Sequence, residues 1–212
     1  VIGLVGAQGV GKTTLAKKYA EFIEGVYLDA SVSKIIRAAG YDPAAAGRYD
    51  FATRLQLQEI VLAGVQQLYA QAPPGLTVIT DRTPLDMLGY TMAEAIGDSV
   101  PPELQDRFTC YVQACFDATN KWFSTVILVQ PGIPLQESRD GKAVANPAFI
   151  EHLNSLYLGL TVDPRLECAH FYLPRLLTDL DERVQAVDNA CGRTMQVLSN
   201  ISGFLHSSHL VH

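Results

Sequence analysis

"VIGLVGAQGVGKTTLAKKYA", Val1 to Ala20, is the stretch whose reading decides the fold. VIGLV (1–5) is all apolar, which suits a buried parallel strand. Gly6-Ala7-Gln8-Gly9-Val10-Gly11-Lys12-Thr13 then fits the phosphate-loop pattern G-x-x-x-x-G-K-[ST]. Leu15, Tyr19 and Ile23 follow four apart, with Ala16 and Ala20 beside them, so 12–24 reads as an amphipathic helix. A glycine loop after a strand and before a helix is the context a phosphate loop needs. Glycine lets the backbone fold around phosphate oxygens, and the exposed amides and the positive helix end attract the anion. Gly6, Ala7, Gln8, Gly9, Val10, Gly11, Lys12, Thr13 and Thr14 are therefore the expected nucleotide contacts. Lys12 would reach the β/γ phosphates and the Thr13 hydroxyl would ligate Mg²⁺. A glycine-rich turn holding no ligand is the plain alternative.

Outward from that loop, strands alternate with helices. Strands are expected at 26–30, 76–81, 125–130 and 168–173. Helices are expected at 31–39, 49–72, 84–96, 102–122, 146–160 and 179–199, the last with Asp179 and Glu182 placed as in a capping box. The alternation predicts an α/β fold of phosphate-loop NTPase type, with a five-stranded, mostly parallel sheet and helices on both faces. The segment 131–147 is rich in Pro and Gly and lacks periodicity, so it reads as a lid loop.

Composition bounds the answer. The chain has 212 residues, 48% hydrophobic and 18% charged, which suits one domain over 1–212 with a large core. The net charge of −6 and the lack of Lys/Arg runs give no large electrostatic footprint for nucleic acid, although a local basic groove stays open. Cys110, Cys115, Cys168 and Cys191 form no C-x-x-C and read as buried free thiols of a reducing cytoplasm. No apolar run reaches membrane-spanning length, and no signal peptide precedes the glycine loop. The missing initiator Met points to a trimmed end. His206, His209 and His212 in the tail could form a metal face, but a loose terminus is the simpler reading. A homodimer is left open.

The third expected strand separates the functional classes. A water-activating motor ATPase wants Asp-Glu there, and this chain has Asp81-Arg82. A GTPase switch wants D-x-x-G and N-K-x-D. Asp86-Met87-Leu88-Gly89 matches the first but falls inside a helical stretch, and Asn120-Lys121-Trp122-Phe123 lacks the final Asp. Both read as accidental. Arginine after the strand-end Asp suits phosphoryl transfer, where negative charge must be held on donor and acceptor sides.

Asp81-Arg82-Thr83-Pro84-Leu85-Asp86 resembles the DR signature of thymidylate-kinase-like phosphate-loop kinases. LVQPGIPLQESRDGK (128–142) resembles the strand and lid of NadR-type ribosylnicotinamide kinases, with Gly132 where those carry an acidic residue. The chain is also similar to compact phage-encoded kinases, one type of which phosphorylates 5-hydroxymethyluracil within DNA. The resemblance implies ATP and Mg²⁺ as cofactors. It implies a nucleoside- or nucleotide-type acceptor: a salvage substrate, or the modified base in DNA. It also implies that Asp29, expected at the end of the second strand, accepts the proton of the acceptor hydroxyl, though Asp29 could instead cap the following helix. Asp81 is expected on Mg²⁺ or as the base. Arg82 is expected on an acceptor phosphate or the moving phosphoryl group, or in a salt bridge with Asp86, which itself reads as an acidic helix start. Arg139 and Lys142 are expected as lid cations. Tyr49, Phe51, Arg54 and Gln58 are the acceptor-pocket candidates, placed where deoxynucleoside kinases read a base. Trp122 and Phe123 read as core. A regulatory or motor ATPase is the rival of another class.

Overall fold

The computed structural model describes residues 1–96, 99–134 and 146–208, with side-chain detail for these except Ala46 and 201–208. Five strands form one sheet: β1 (Ile2–Val5), β2 (Val26–Tyr27), β3 (Val78–Thr80), β4 (Thr125–Val129) and β5 (Ala169–Leu173). Their order is β2-β3-β1-β4-β5, and every pairing is parallel. The central strand sets the register, with Ile2 opposite Ile79 on one side and Thr125 on the other. β1 and β4 are buried along their whole length, which is why neither alternates apolar with polar and Thr125 is their one polar side chain.

The helices are α1 (Lys12–Phe22), α2 (Val32–Ala38), α3 (Phe51–Ala70), α4 (Pro84–Glu94), α5 (Gln105–Trp122), α6 (Pro147–Thr161) and α7 (Leu180–Ser208). α1 packs on α7, while α3, α4, α5 and α6 pack on one another. The path from β1 to β2 runs one way across the sheet and that from β4 to β5 the other. Right-handed crossovers therefore place α1 and α6 on opposite faces. The reversal beside β1 opens a crevice at the carboxyl ends of the strands, where open α/β sheets bind ligands.

Four expectations shift. β2 is two residues long rather than 26–30, although the Leu28 amide still donates to the Ile79 carbonyl at 2.8 Å. Residues 102–104 form a 3₁₀ turn ahead of α5, and α7 runs on to Ser208. Of the cysteines, all free, Cys115 is buried but Cys110 is exposed, because it lies on the outer side of the amphipathic α5. Phe123 is core, and Trp122 packs against it from partial exposure, its indole donating to Gln66 at 3.2 Å. Among the described residues no helix is long and apolar enough to cross a membrane. The lid residues 135–145, with Arg139 and Lys142, and the tail histidines His209 and His212 lie outside the described residues, as does the side chain of His206.

Candidate functional site

The site grows from the turn after β1. Gly6, Gly9 and Gly11 hold φ values of 152°, 79° and 85°. At Gly11, the residue before α1, this is the left-handed region that a side chain would strain. The Lys12 ammonium donates to the carbonyls of Gly6 and Ala7 at 2.5 and 2.8 Å. It also lies 3.6 Å from the Asp86 carboxylate, and both groups are buried. Burial pushes the Lys12 pKa down to about 8, against the opposing pull of Asp86.

Asp86 does more than the expected helix start. It does sit in the first turn of α4, in a capping box with Thr83. The Thr83 amide and hydroxyl both donate to Asp86 Oδ2 at 2.9 Å. Its other oxygen accepts the Gly6 amide at 3.2 Å. One carboxylate thus fixes the start of α4 and the first glycine of the loop, and faces Lys12. Burial pushes the carboxyl above the ordinary range, opposed by Lys12, Arg82 and the Thr83 bonds. The ion pair of Asp86 is with Lys12 and not the expected one with Arg82.

The Thr13 hydroxyl donates to Asp81 Oδ2, and the Tyr27 hydroxyl donates to Asp81 Oδ1 at 3.1 Å. A hydroxyl and a carboxylate joined at the mouth of a phosphate loop are hard oxygen donors. Such a pair suits Mg²⁺, which binds through one or two carboxylates plus substrate phosphates. Tyr27 was not singled out in the sequence, and burial and Asp81 raise its pKa well above the ordinary value. Burial opposes the Arg82 charge, but Asp86, Tyr90 and Asp81 outweigh it and hold the guanidinium charged. Tyr90 of α4 faces both Arg82 and the Gln8 backbone.

Asp29 is exposed just past β2. Ser31, not Asp29, is the N-cap of α2, and α2 starts without a side-chain cap. The capping alternative therefore has no support. Phe51, Arg54 and Gln58 follow at spacings of three and four along one side of α3. Phe51 is buried with its ring on Phe108, Arg54 is held by Glu94 at 3.2 Å, and Gln58 is half-buried. Tyr49 precedes the helix, its ring edge-on to Tyr41 and its hydroxyl accepting the Asp42 amide at 3.3 Å.

Arg183 of α7 was also missed. It is 2% exposed and donates to the Val10 carbonyl of the loop at 3.2 Å. A signal existed: Arg183 interrupts the apolar stripe Leu180, Val184, Val187 at a core spacing. By contrast, a depression of about 450 Å³ between Val1, Tyr19, Thr77, Asp188 and Met195 is lined by none of the site residues.

The glycine loop between β1 and α1, with Lys12 and Thr13 at the helix start and Asp81 across from them, defines a phosphate-loop nucleotide-binding domain. A family model described as an AAA domain matches residues 1–142, and the chain belongs to that family. No curated protein matches the chain in sequence. Among solved structures it is similar to deoxyadenosine kinase from M. mycoides with bound dCMP and dCDP, at 17% identity and a TM-score of 0.64. That match covers 91% of this chain and 98% of the other. It is also similar to thymidylate kinase from Candida albicans, at 13% identity and a TM-score of 0.57, covering 92% and 91%. At these identities the likeness establishes the fold.

Proposed function

We propose that this protein transfers the γ-phosphoryl group of ATP to a hydroxyl of a nucleoside- or nucleotide-type acceptor. The observation that carries the reading is the donor-site constellation: Thr13 bonded to Asp81, followed by Arg82 rather than a water-activating glutamate. The fold shared with deoxyadenosine and thymidylate kinases supports it.

In this reading Gly6 to Thr14 cradle the triphosphate, and Lys12 leaves the loop carbonyls for the β/γ phosphates. Thr13 and Asp81 would hold Mg²⁺, which neutralises charge on the phosphates. The acceptor oxygen forms a bond to the γ phosphorus while the bond to the β–γ bridging oxygen breaks, and ADP leaves. Asp29, exposed on the acceptor side, takes the hydroxyl proton. Asp81, already engaged by two hydroxyls, suits the metal better than the base role. Arg82 stabilises the moving phosphoryl group. The chain acts as one domain over 1–212; the expected lid cations, Arg139 and Lys142, lie outside the described residues. Phe51, Arg54 and Gln58, on one side of α3, with Tyr49 nearby, face the acceptor base.

The narrower acceptor is the hydroxymethyl group of 5-hydroxymethyluracil in DNA. The net charge of −6 weighs against it, because phosphate contacts dominate DNA affinity. γ-labelled ATP with Mg²⁺ is the test, offered with nucleosides, deoxynucleoside monophosphates, nicotinamide riboside, plain duplex DNA and 5-hydroxymethyluracil DNA. Label on a small molecule is the expected result. Label on the modified DNA alone makes the protein a DNA-modifying kinase, and label only in free phosphate makes it an ATPase.

A further inference from the structure

Arg183 is a buried charge without a counter-charge. Its Nη2 is spent on the Val10 carbonyl at 3.2 Å, while its Nε, also buried, has no acceptor. Its Nη1 lies 3.0 Å from where a β-carbon on Gly11 would sit, and Ile133 closes on the same point. Among the described residues no carboxylate pairs with it. Burial alone acts on its pKa, downward, and the acidic residues of its own helix start, Asp181 and Glu182, are exposed. A guanidinium sealed from water with a free donor is costly unless an anion completes it. It touches the loop at the residues just before Lys12, where the positive end of α1 already favours negative charge.

We propose that Arg183 is a nucleotide-binding residue whose missing counter-ion is a phosphate of the bound nucleoside triphosphate. This rests on the reading of the glycine loop as a triphosphate site. It goes beyond that reading, because it brings α7, from the far end of the chain, into the donor site. Arginine suits the place, since it stays charged where a lysine would lose its proton and its planar fork matches phosphate oxygens. Lys12 already has the Asp86 carboxylate as its counter-charge, whereas Arg183 has none among the described residues.

The test compares wild type, Arg183→Met, Arg183→Lys and Lys12→Ala by thermal melting without nucleotide and by calorimetric titration with ATP. Methionine fills similar volume without the charge. Arg183→Met is expected to melt higher than wild type without nucleotide and to bind ATP roughly ten- to hundredfold more weakly. Arg183→Lys should recover part of that affinity. A pure brace for the loop would behave oppositely, since losing it lowers the melting temperature. A lowered melting temperature of nucleotide-free Arg183→Met, or an ATP affinity within twofold of wild type, overturns the proposal. If wild type itself binds no ATP, the triphosphate reading falls first and the proposal with it. If wild type binds, Lys12→Ala does not, and Arg183→Met binds as wild type does, only the Arg183 assignment falls.

Discussion

The Lys12 ammonium lies 3.6 Å from the Asp86 carboxylate, with the two side chains 7% and 1% exposed. The same carboxylate also accepts the Gly6 amide of the loop at 3.2 Å. Asp86 therefore stands as the counter-charge of the lysine expected to meet the phosphates.

That pair gives nucleotide binding a pH dependence. The Lys12 pKa is pushed down to about 8 from an ordinary 10.5, chiefly by burial. Triphosphate favours the ammonium form, so binding above about pH 8 must draw in a proton. ATP affinity should be level below that point and fall by up to about tenfold per pH unit above it. Titration calorimetry in two buffers of different ionisation heat measures the uptake directly. Stability runs the other way. The folded pKa lies below the unfolded one, so the unfolded chain holds more protons between about 8 and 10.5, and the nucleotide-free protein gains stability as pH rises through that window.

Asp86→Asn keeps the size of the side chain but strands the Lys12 charge in a buried site. Breaking a buried pair in this way should cost about 3 kcal/mol, or roughly 6–12 °C in melting temperature for a chain this long. Combining it with Lys12→Met should cost less than the sum of the single changes, and a double-mutant cycle by denaturant unfolding reads that coupling. Strict additivity would mean that the two groups do not interact.

Asp29→Asn separates chemistry from structure. The carboxylate is exposed and caps no helix, so the melting temperature should stay within about 1–2 °C of wild type. Phosphoryl transfer should fall roughly a hundredfold or more while ATP affinity holds. A single-turnover rate beside an ATP titration checks it, and an unchanged rate would remove Asp29 from the mechanism.

Gly89→Ala should destabilise the protein by about 1–3 kcal/mol. A β-carbon there would overlap the ring of Tyr157, a side chain of α6 with no exposed surface. Tyr157 also donates to the Asp86 carbonyl at 3.2 Å, so the displacement reaches the helix start behind Lys12. Thermal melting reads the loss of stability. An additional rise in the ATP Kd would show how far the displacement travels.

Much of the layout was legible because local rules and tertiary demand agreed. The apolar β1 and the β4 run Val126 to Val129 really are interior strands, and the glycine pattern does turn into a helix at Lys12. The decoys were legible as decoys, though their reasons were not. Gly89 is there to admit Tyr157. Asn120 clamps the chain before β5, donating to the Arg165 carbonyl at 2.8 Å and accepting the Glu167 amide at 2.9 Å. What escaped were contacts of long sequence separation. Nothing local tells Asp86 that Gly6 and Lys12 will face it, since the capping box with Thr83 already explains an acid at that position. Nothing local brings Arg183 to Val10, although an arginine amid Leu180, Val184 and Val187 was a visible break in pattern. β2 was overestimated because Val26 and Tyr27 are strong strand formers and Leu28 continues the apolar run, whereas only Val26 and Tyr27 pair with β3.

The brevity of β2 has an evolutionary consequence. The donor machinery hangs from β1 and β3, interior strands whose geometry the whole core enforces. Asp29 and the stretch leading to α3 hang from a two-residue edge strand. Insertions and substitutions there disturb little of the core. In the proposed reading, a change of acceptor needs only one margin of the sheet rewritten, while the interior strands that carry the glycine loop and Asp81 stay as they are.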